Sequence, residues 1–111
     1  MLAATPAAVT AAFARQGAVL IRVPKPPKLC DAKACRSLRI FGGPFVLLAP
    51  KETVDFFVAL LPSAADAQRV GRVGTQGGLG VAVRGSTVLM YLKSSARIAR
   101  LRAALASITM G

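Results

Sequence analysis

The stretch from Ile40 to Leu61, IFGGPFVLLAPKETVDFFVALL, constrains the fold more than any other part of the chain. Phe45 to Ala49 is an unbroken apolar run flanked by glycine and proline, which predicts a short strand buried on both faces. Pro50 suits the first position of a helix, because that position needs no N–H donor. Apolar residues then recur at helical spacing, at Val54, Phe57, Val58 and Leu61. The stretch therefore predicts a buried strand that leads into a core-facing helix.

The segments before and after this unit predict further helices and strands. Thr5 and Pro6 predict the N-cap and first turn of a helix over residues 6–16, and Gly17 predicts its end. The alternating residues 18–23 predict a strand. A short helix is expected after Ser63, ending near Gly71, and the glycine-rich sequence VGRVGTQGGLG is expected to form turns.

The C-terminal third predicts a β-hairpin at 79–92 and a basic helix at 95–109. The hairpin turns at residues 85–86, and Ser94 or Ser95 is the expected cap of the helix. The whole order is α-β-(basic loop)-β-α-α-β-β-α. It predicts an α+β fold: a single two-layer domain over residues 1–111, with a mixed sheet of about four strands and helices packed on it. The apolar fraction of 54% is enough to form a real core.

Positive charge is concentrated at the two ends of the chain. Fifteen Lys+Arg against four Asp+Glu give a net charge of +11, and both residues 1–40 and residues 69–111 are strongly basic around a near-neutral middle. This distribution favours a polyanionic partner, namely RNA, DNA or anionic lipid, over the alternative of a basic but inert surface.

The densest basic patch lies on a proline-rich loop at residues 24–39, which PKPPK excludes from a central strand or a helix interior. Exposed charged loops are where binding residues usually lie. The candidate nucleic-acid-binding residues are the basic side chains of this loop and its flank and three arginines of the predicted C-terminal helix: Arg22, Lys25, Lys28, Lys33, Arg36, Arg39, Arg97, Arg100 and Arg102.

The side chains needed for most catalysis are missing from the sequence. The chain has no histidine, which excludes Ser-His-Asp and Cys-His mechanisms, and its four acids form no obvious catalytic pair. Cys30 and Cys35 are not spaced as Cys-x-x-Cys and lack further metal ligands, so two free thiols are expected, with a local disulfide as the alternative. We therefore predict no enzyme activity, no cofactor, no metal site and no small-molecule substrate. No apolar run approaches the ~20 residues of a membrane-spanning helix.

Three features, taken in chain order, carry a resemblance to a known family. A helix that ends at Gly17 leads into the strand AVLIRV and then to Lys25. Gly43-Pro44 precedes the buried strand FVLLA and the segment KETVDFFVALL. Gly77-Gly78 then precedes the small strand pair and the basic segment SSARIARLRAALASI. In this order the chain resembles the RNA-binding domain of the ribosomal stalk-base protein, the "L-ten" family of the large subunit.

The resemblance implies a non-catalytic structural protein of a large ribonucleoprotein, with rRNA and neighbouring ribosomal proteins as partners. Pro26 stands where the family usually has an asparagine. A shortened, basic and divergent member points to an organelle ribosome, so a mitochondrial location is expected rather than a cytoplasmic one. The alternative is an accessory, non-catalytic subunit of a mitochondrial membrane complex, in which the basic segments would meet anionic lipid or acidic neighbouring subunits.

Overall fold

A computed structural model describes residues 5–24, 46–51 and 54–108. Within these ranges the helices are α1 (Pro6–Arg15), α2 (Ala64–Gln76) and α3 (Ile98–Ala106). The strands are β1 (Leu20–Val23), β2 (Val46–Pro50), β3 (Phe56–Leu60), β4 (Gly80–Arg84) and β5 (Thr87–Tyr91). The predicted α+β class is confirmed.

The five strands form one antiparallel sheet in the order β1-β2-β3-β5-β4. The first three strands pair in sequence, and α2 then carries the chain across so that β5 pairs with β3 and β4 becomes an edge strand. The sheet of about four strands that was predicted has five, and the predicted mixed strand direction is wrong, because every described pair is antiparallel. The additional strand is formed by residues 56–60.

Residues 56–60, predicted as part of a helix, form the central strand β3. Every residue of β3 is buried, because it pairs with β2 on one side and β5 on the other, and its two faces meet different apolar layers. A strand buried on both faces shows no polar alternation, so an unbroken apolar run matches the helical spacing as well as the strand. Pro50 accordingly ends β2 and does not begin a helix.

Helix α2 continues through two glycines that were expected to form turns. Gly71 and Gly74 lie on its buried face against the hairpin, where an added Cβ at Gly74 would come within 2.9 Å of the Met90 side chain. Glycine is unfavourable within a helix by about 1 kcal/mol, but here it lets the helix backbone approach the sheet. The helix begins where predicted, since the Ser63 hydroxyl accepts a hydrogen bond from the Asp66 backbone N–H.

Helices cover both faces of the sheet, which makes three layers where two were predicted. One apolar cluster joins α1 and α3 to one face, including Phe13, Leu101 and Leu105. A second cluster joins α2 to the opposite face, including Val70 and Met90. Residues 56–60, which were expected to form a covering helix, are instead the central strand of the sheet. The second face of the sheet is covered by α2.

Three local predictions are confirmed, two at the ends of α1 and one at the hairpin turn. The Thr5 hydroxyl caps α1 by accepting a hydrogen bond from the Ala8 backbone N–H. Gly17, with φ of 82°, follows the end of this helix in the left-handed region. The hairpin turns at Gly85, also with positive φ. The basic loop predicted at 24–39 lies outside the described residues except for Pro24, and the helix predicted at 95–109 is the shorter α3.

Candidate nucleic-acid interface

The nine predicted binding residues fall into two groups. Five of them lie outside the described residues: Lys25, Lys28, Lys33, Arg36 and Arg39. The other four are placed by the fold, namely Arg22 on β1 and three arginines at or within α3: Arg97, Arg100 and Arg102.

Arg22 and α3 lie at opposite sides of the domain. Arg22 is exposed on the edge strand β1, on the same sheet face as its partner Leu48 and therefore as α1. Helix α3 packs over β4 and β5, at the other end of the five-strand order. Four strand spacings of about 4.8 Å separate the two edges by about 19 Å. The predicted residues therefore do not form one compact patch within the described part of the chain.

Arg97 makes an ion pair inside the fold. Its Nε donates hydrogen bonds to both carboxylate oxygens of Asp55, at 3.0 and 3.2 Å, and its Nη2 donates to Oδ1. The Ser95 hydroxyl donates to the same carboxylate at 2.6 Å, and the guanidinium lies 5.0 Å from the centroid of the Phe56 ring. The expected helix cap at Ser94 or Ser95 is therefore wrong, because the Ser95 hydroxyl bonds to Asp55. The N-cap residue of α3 is Arg97, whose side chain makes no capping hydrogen bond.

The ion pair shifts the titration of both partners. Burial acts to raise the pKa of the Asp55 carboxyl, but the hydrogen bonds from Arg97 and Ser95 and the charge of Arg97 outweigh it and hold that pKa below its usual value. The hydrogen bond to Asp55 in turn raises the pKa of Arg97. Because Asp55 directly precedes β3, the pair fixes the start of α3 to the centre of the sheet. A structural role thus accounts for Arg97.

Arg100 and Arg102 lie on opposite flanks of α3, since two residues on a helix are about 200° apart. Both are exposed. Arg102 is oriented by the fold, because its Nη1 donates a hydrogen bond of 2.8 Å to the phenolic oxygen of Tyr91 on β5. Of the three arginines at α3, these two remain candidates for binding a partner.

Arg84 is a basic residue that the sequence analysis missed. It ends β4 on the sheet face shared with Leu89, and its Nη2 donates a hydrogen bond of 3.3 Å to the Ile108 carbonyl just beyond α3. The sequence offers one signal for Arg84. In the predicted hairpin, its alternation places it on the same sheet face as Leu89 of the paired strand. Its place beside α3 depends on the return of the chain after the hairpin.

The charge balance of the described surface is strongly positive. Ten Lys/Arg and two Asp/Glu lie in the described ranges, and both acids are paired, Asp55 with Arg97 and Asp66 with Arg69. The remaining basic residues have no carboxylate partner there: Arg15, Arg22, Lys51, Arg72, Arg84, Lys93, Arg100 and Arg102. Eight uncompensated cations on one small domain produce a positive potential that attracts anions.

The described part of the chain offers no site for a metal ion. Its residues form no group of three or more His, Cys, Asp or Glu side chains able to hold one. Among the same residues, no helix combines the length and apolar character needed to cross a membrane. Cys30 and Cys35 lie outside the described residues, so the prediction of free thiols stays a prediction.

Comparisons with protein-family models, curated proteins and solved structures find no match to this chain.

Proposed function

We propose that this chain is a non-catalytic structural protein that binds RNA phosphates within a large ribonucleoprotein. The RNA we propose is rRNA at the stalk base of an organelle large ribosomal subunit, on the resemblance carried by Gly17, Gly43-Pro44 and the C-terminal basic segment. A mitochondrial location is part of the same proposal.

The observation that carries the proposal is the uncompensated positive charge. Both acids of the described part are neutralised by arginines of the same domain, which leaves eight cations without a carboxylate partner. Such a surface repels itself unless a partner supplies negative charge. RNA supplies it densely, and arginine forks suit its phosphates. The sequence of residues 24–39 adds five further cations and one acid to the chain.

A second candidate function, an accessory subunit of a mitochondrial membrane complex, draws support from exposed apolar side chains. Val19, which directly precedes the edge strand β1, is 64% exposed, Ile21 on β1 is 42% exposed, and Val54 is 41% exposed. Apolar residues at a strand edge that has no partner among the described residues suit a contact with another protein. In the ribonucleoprotein proposal a neighbouring protein would cover this edge.

The proposal is tested by the salt dependence of RNA binding to the full chain. One variant replaces four cations of the loop by glutamine: Lys25, Lys28, Arg36 and Arg39. A matched control replaces four exposed cations outside the predicted site: Arg15, Lys51, Arg72 and Lys93. Fluorescence anisotropy with a 20-nucleotide RNA gives log K against log salt concentration, and each lost phosphate contact lowers the slope by about 0.7 for a single strand.

We expect wild-type binding that weakens steeply with salt, a slope reduced by about three in the loop variant, and a smaller change in the control. Equal slopes in the loop variant and the control would show that RNA is attracted by the net charge alone. That result would overturn the loop as a defined RNA-binding site. Failure of the wild-type chain to bind RNA at low salt would overturn the proposed function itself.

A further inference from the structure

A cleft of about 470 Å³ lies between the edge strand β4 and helix α3. Small side chains line it on both sides, among them Ala82 on β4 and Ala103 and Ala106 on α3. The two charged residues in its lining are Arg84 and Arg102, one from each element. The cleft therefore combines open space with two guanidinium groups.

Most donors of the two guanidinium groups have no partner within the described chain. Arg84 uses one N–H for the Ile108 carbonyl, and Arg102 uses one for the phenolic oxygen of Tyr91. An arginine carries five N–H donors, and no carboxylate of the described residues pairs with either group. These single bonds orient the two arginines and leave terminal N–H donors of both groups for an external acceptor.

Unsatisfied buried atoms lie near the Arg84 end of the cleft, at Arg84, which lines it, and at its paired neighbour Thr87, which does not. Arg84 Nε and Thr87 Oγ1 are the two buried side-chain polar atoms without a partner among the described residues. The two residues face each other across β4 and β5. Buried polar atoms nearly always have partners, and an unpaired one calls for an explanation, such as local strain, a bound water or a bound ion. This observation is independent of the shape of the cleft, and through Arg84 it points to the same end of the cleft.

We infer that the cleft between β4 and α3 binds a phosphate group of the RNA backbone, with Arg84 and Arg102 as its two cationic ligands. A phosphate presents several strong acceptor oxygens, which planar guanidinium forks can hold from two sides. The open side lets the flanking nucleotides leave the cleft. That the phosphate comes from RNA rests on the proposed function. That the cleft binds an anion rests on the two arginines that line it.

The test separates the cleft from the charge of the whole protein. In the full chain, Arg84→Gln and Arg102→Gln each remove one ligand, and Ala103→Leu fills the cleft without changing the net charge. Ala99→Leu, an exposed alanine one turn earlier on α3, is the matched control for cleft filling. Arg72→Gln, on α2 and hence on the opposite sheet face, is the matched control for charge.

Two probes distinguish the source of the anion. Anisotropy measures the affinity of a 20-nucleotide RNA, and NMR follows the Nε–H signals of Arg84 and Arg102 during titration with inorganic phosphate. We expect each cleft variant to weaken RNA binding on the order of tenfold, the usual effect of losing a charge-assisted contact, and the controls by less than twofold. Phosphate should shift both arginine signals in the wild type and neither in Ala103→Leu.

Each contrary result has a distinct meaning. Wild-type RNA binding with cleft variants no weaker than their controls would overturn the inference and leave the proposed function standing. Phosphate binding in the cleft without any RNA binding would assign the site to a free anion and overturn RNA as the source. Displacement of RNA by hexaglutamate at equal affinity would assign the cleft to an acidic peptide and likewise overturn the inference.

Discussion

Replacing Asp55 by asparagine should destabilise the domain more than any comparable change of a surface charge. The carboxylate accepts bonds from two nitrogens of Arg97 and from the Ser95 hydroxyl, and the side chains of Asp55 and Arg97 are 16% and 31% exposed. Charge-assisted bonds contribute about 1.5–3 kcal/mol each when lost outright. Asparagine retains one acceptor oxygen, and Arg97 keeps some access to water, so we expect a loss of about 2 kcal/mol.

The assay is urea unfolding of the full chain at pH 7, followed by circular dichroism, with Asp66→Asn as the matched control. Asp66 pairs with Arg69 at 3.2 Å, but the Arg69 side chain is 53% exposed, so the control should lose less than about 0.5 kcal/mol. For a domain of this size, the Asp55→Asn loss corresponds to a Tm lower by about 8 °C.

The effect should depend on pH in a defined direction. The pKa of Asp55 is lower in the folded chain than in the unfolded chain, so the carboxylate stabilises the fold fully above the ordinary aspartate pKa of about 4. That stabilisation is lost as the pH falls through the lowered pKa of the folded state, and wild type and Asp55→Asn should then converge. A difference at pH 7 no larger than that of Asp66→Asn, or one that persists unchanged under acid, would refute the role of this pair.

Three further changes test the packing and the thiols. Gly80→Ala should destabilise by about 2–3 kcal/mol in urea unfolding, because its Cβ would lie 2.0 Å from the Tyr91 ring; a loss below about 0.5 kcal/mol would contradict this packing. Thr87→Val removes a buried hydroxyl without a partner in the described part, and should leave stability unchanged or raise it by about 1 kcal/mol, whereas a clear loss would reveal a partner. Changing Cys30 and Cys35 to serine should leave RNA affinity unchanged in anisotropy, and stoichiometric zinc in the purified wild-type chain would contradict the free-thiol prediction.

The elements with local signals were predictable from the sequence, and the central strand was not. Thr5-Pro6 and Gly17 mark the ends of α1, and Gly85 marks the hairpin turn, because caps and positive-φ positions depend on neighbouring residues. Residues 56–60 are buried by two neighbouring strands and two apolar layers. These are tertiary contacts, which no pattern in the local sequence indicates. The glycines of α2 likewise depend on contacts with Val81 and Met90, far along the chain.

The candidate site was predictable in its charge and only partly in its residues. The basic C-terminal helix exists as α3, but the sequence gives no sign that Asp55, 42 residues earlier, takes up Arg97. Arg84 joins the surface of α3 only through the return of the chain after the hairpin. Net charge is additive along a sequence, whereas ion pairing depends on which side chains the topology brings together.

The most direct test of the account is the composition of the assembly from which the tagged chain is isolated at native levels. We expect co-purifying rRNA, seen as strong absorbance at 260 nm, and release of the chain after ribonuclease treatment or at high salt, because phosphate contacts dominate the binding. An assembly that contains no RNA, resists ribonuclease and requires detergent for its extraction would contradict the account and favour the membrane-complex subunit.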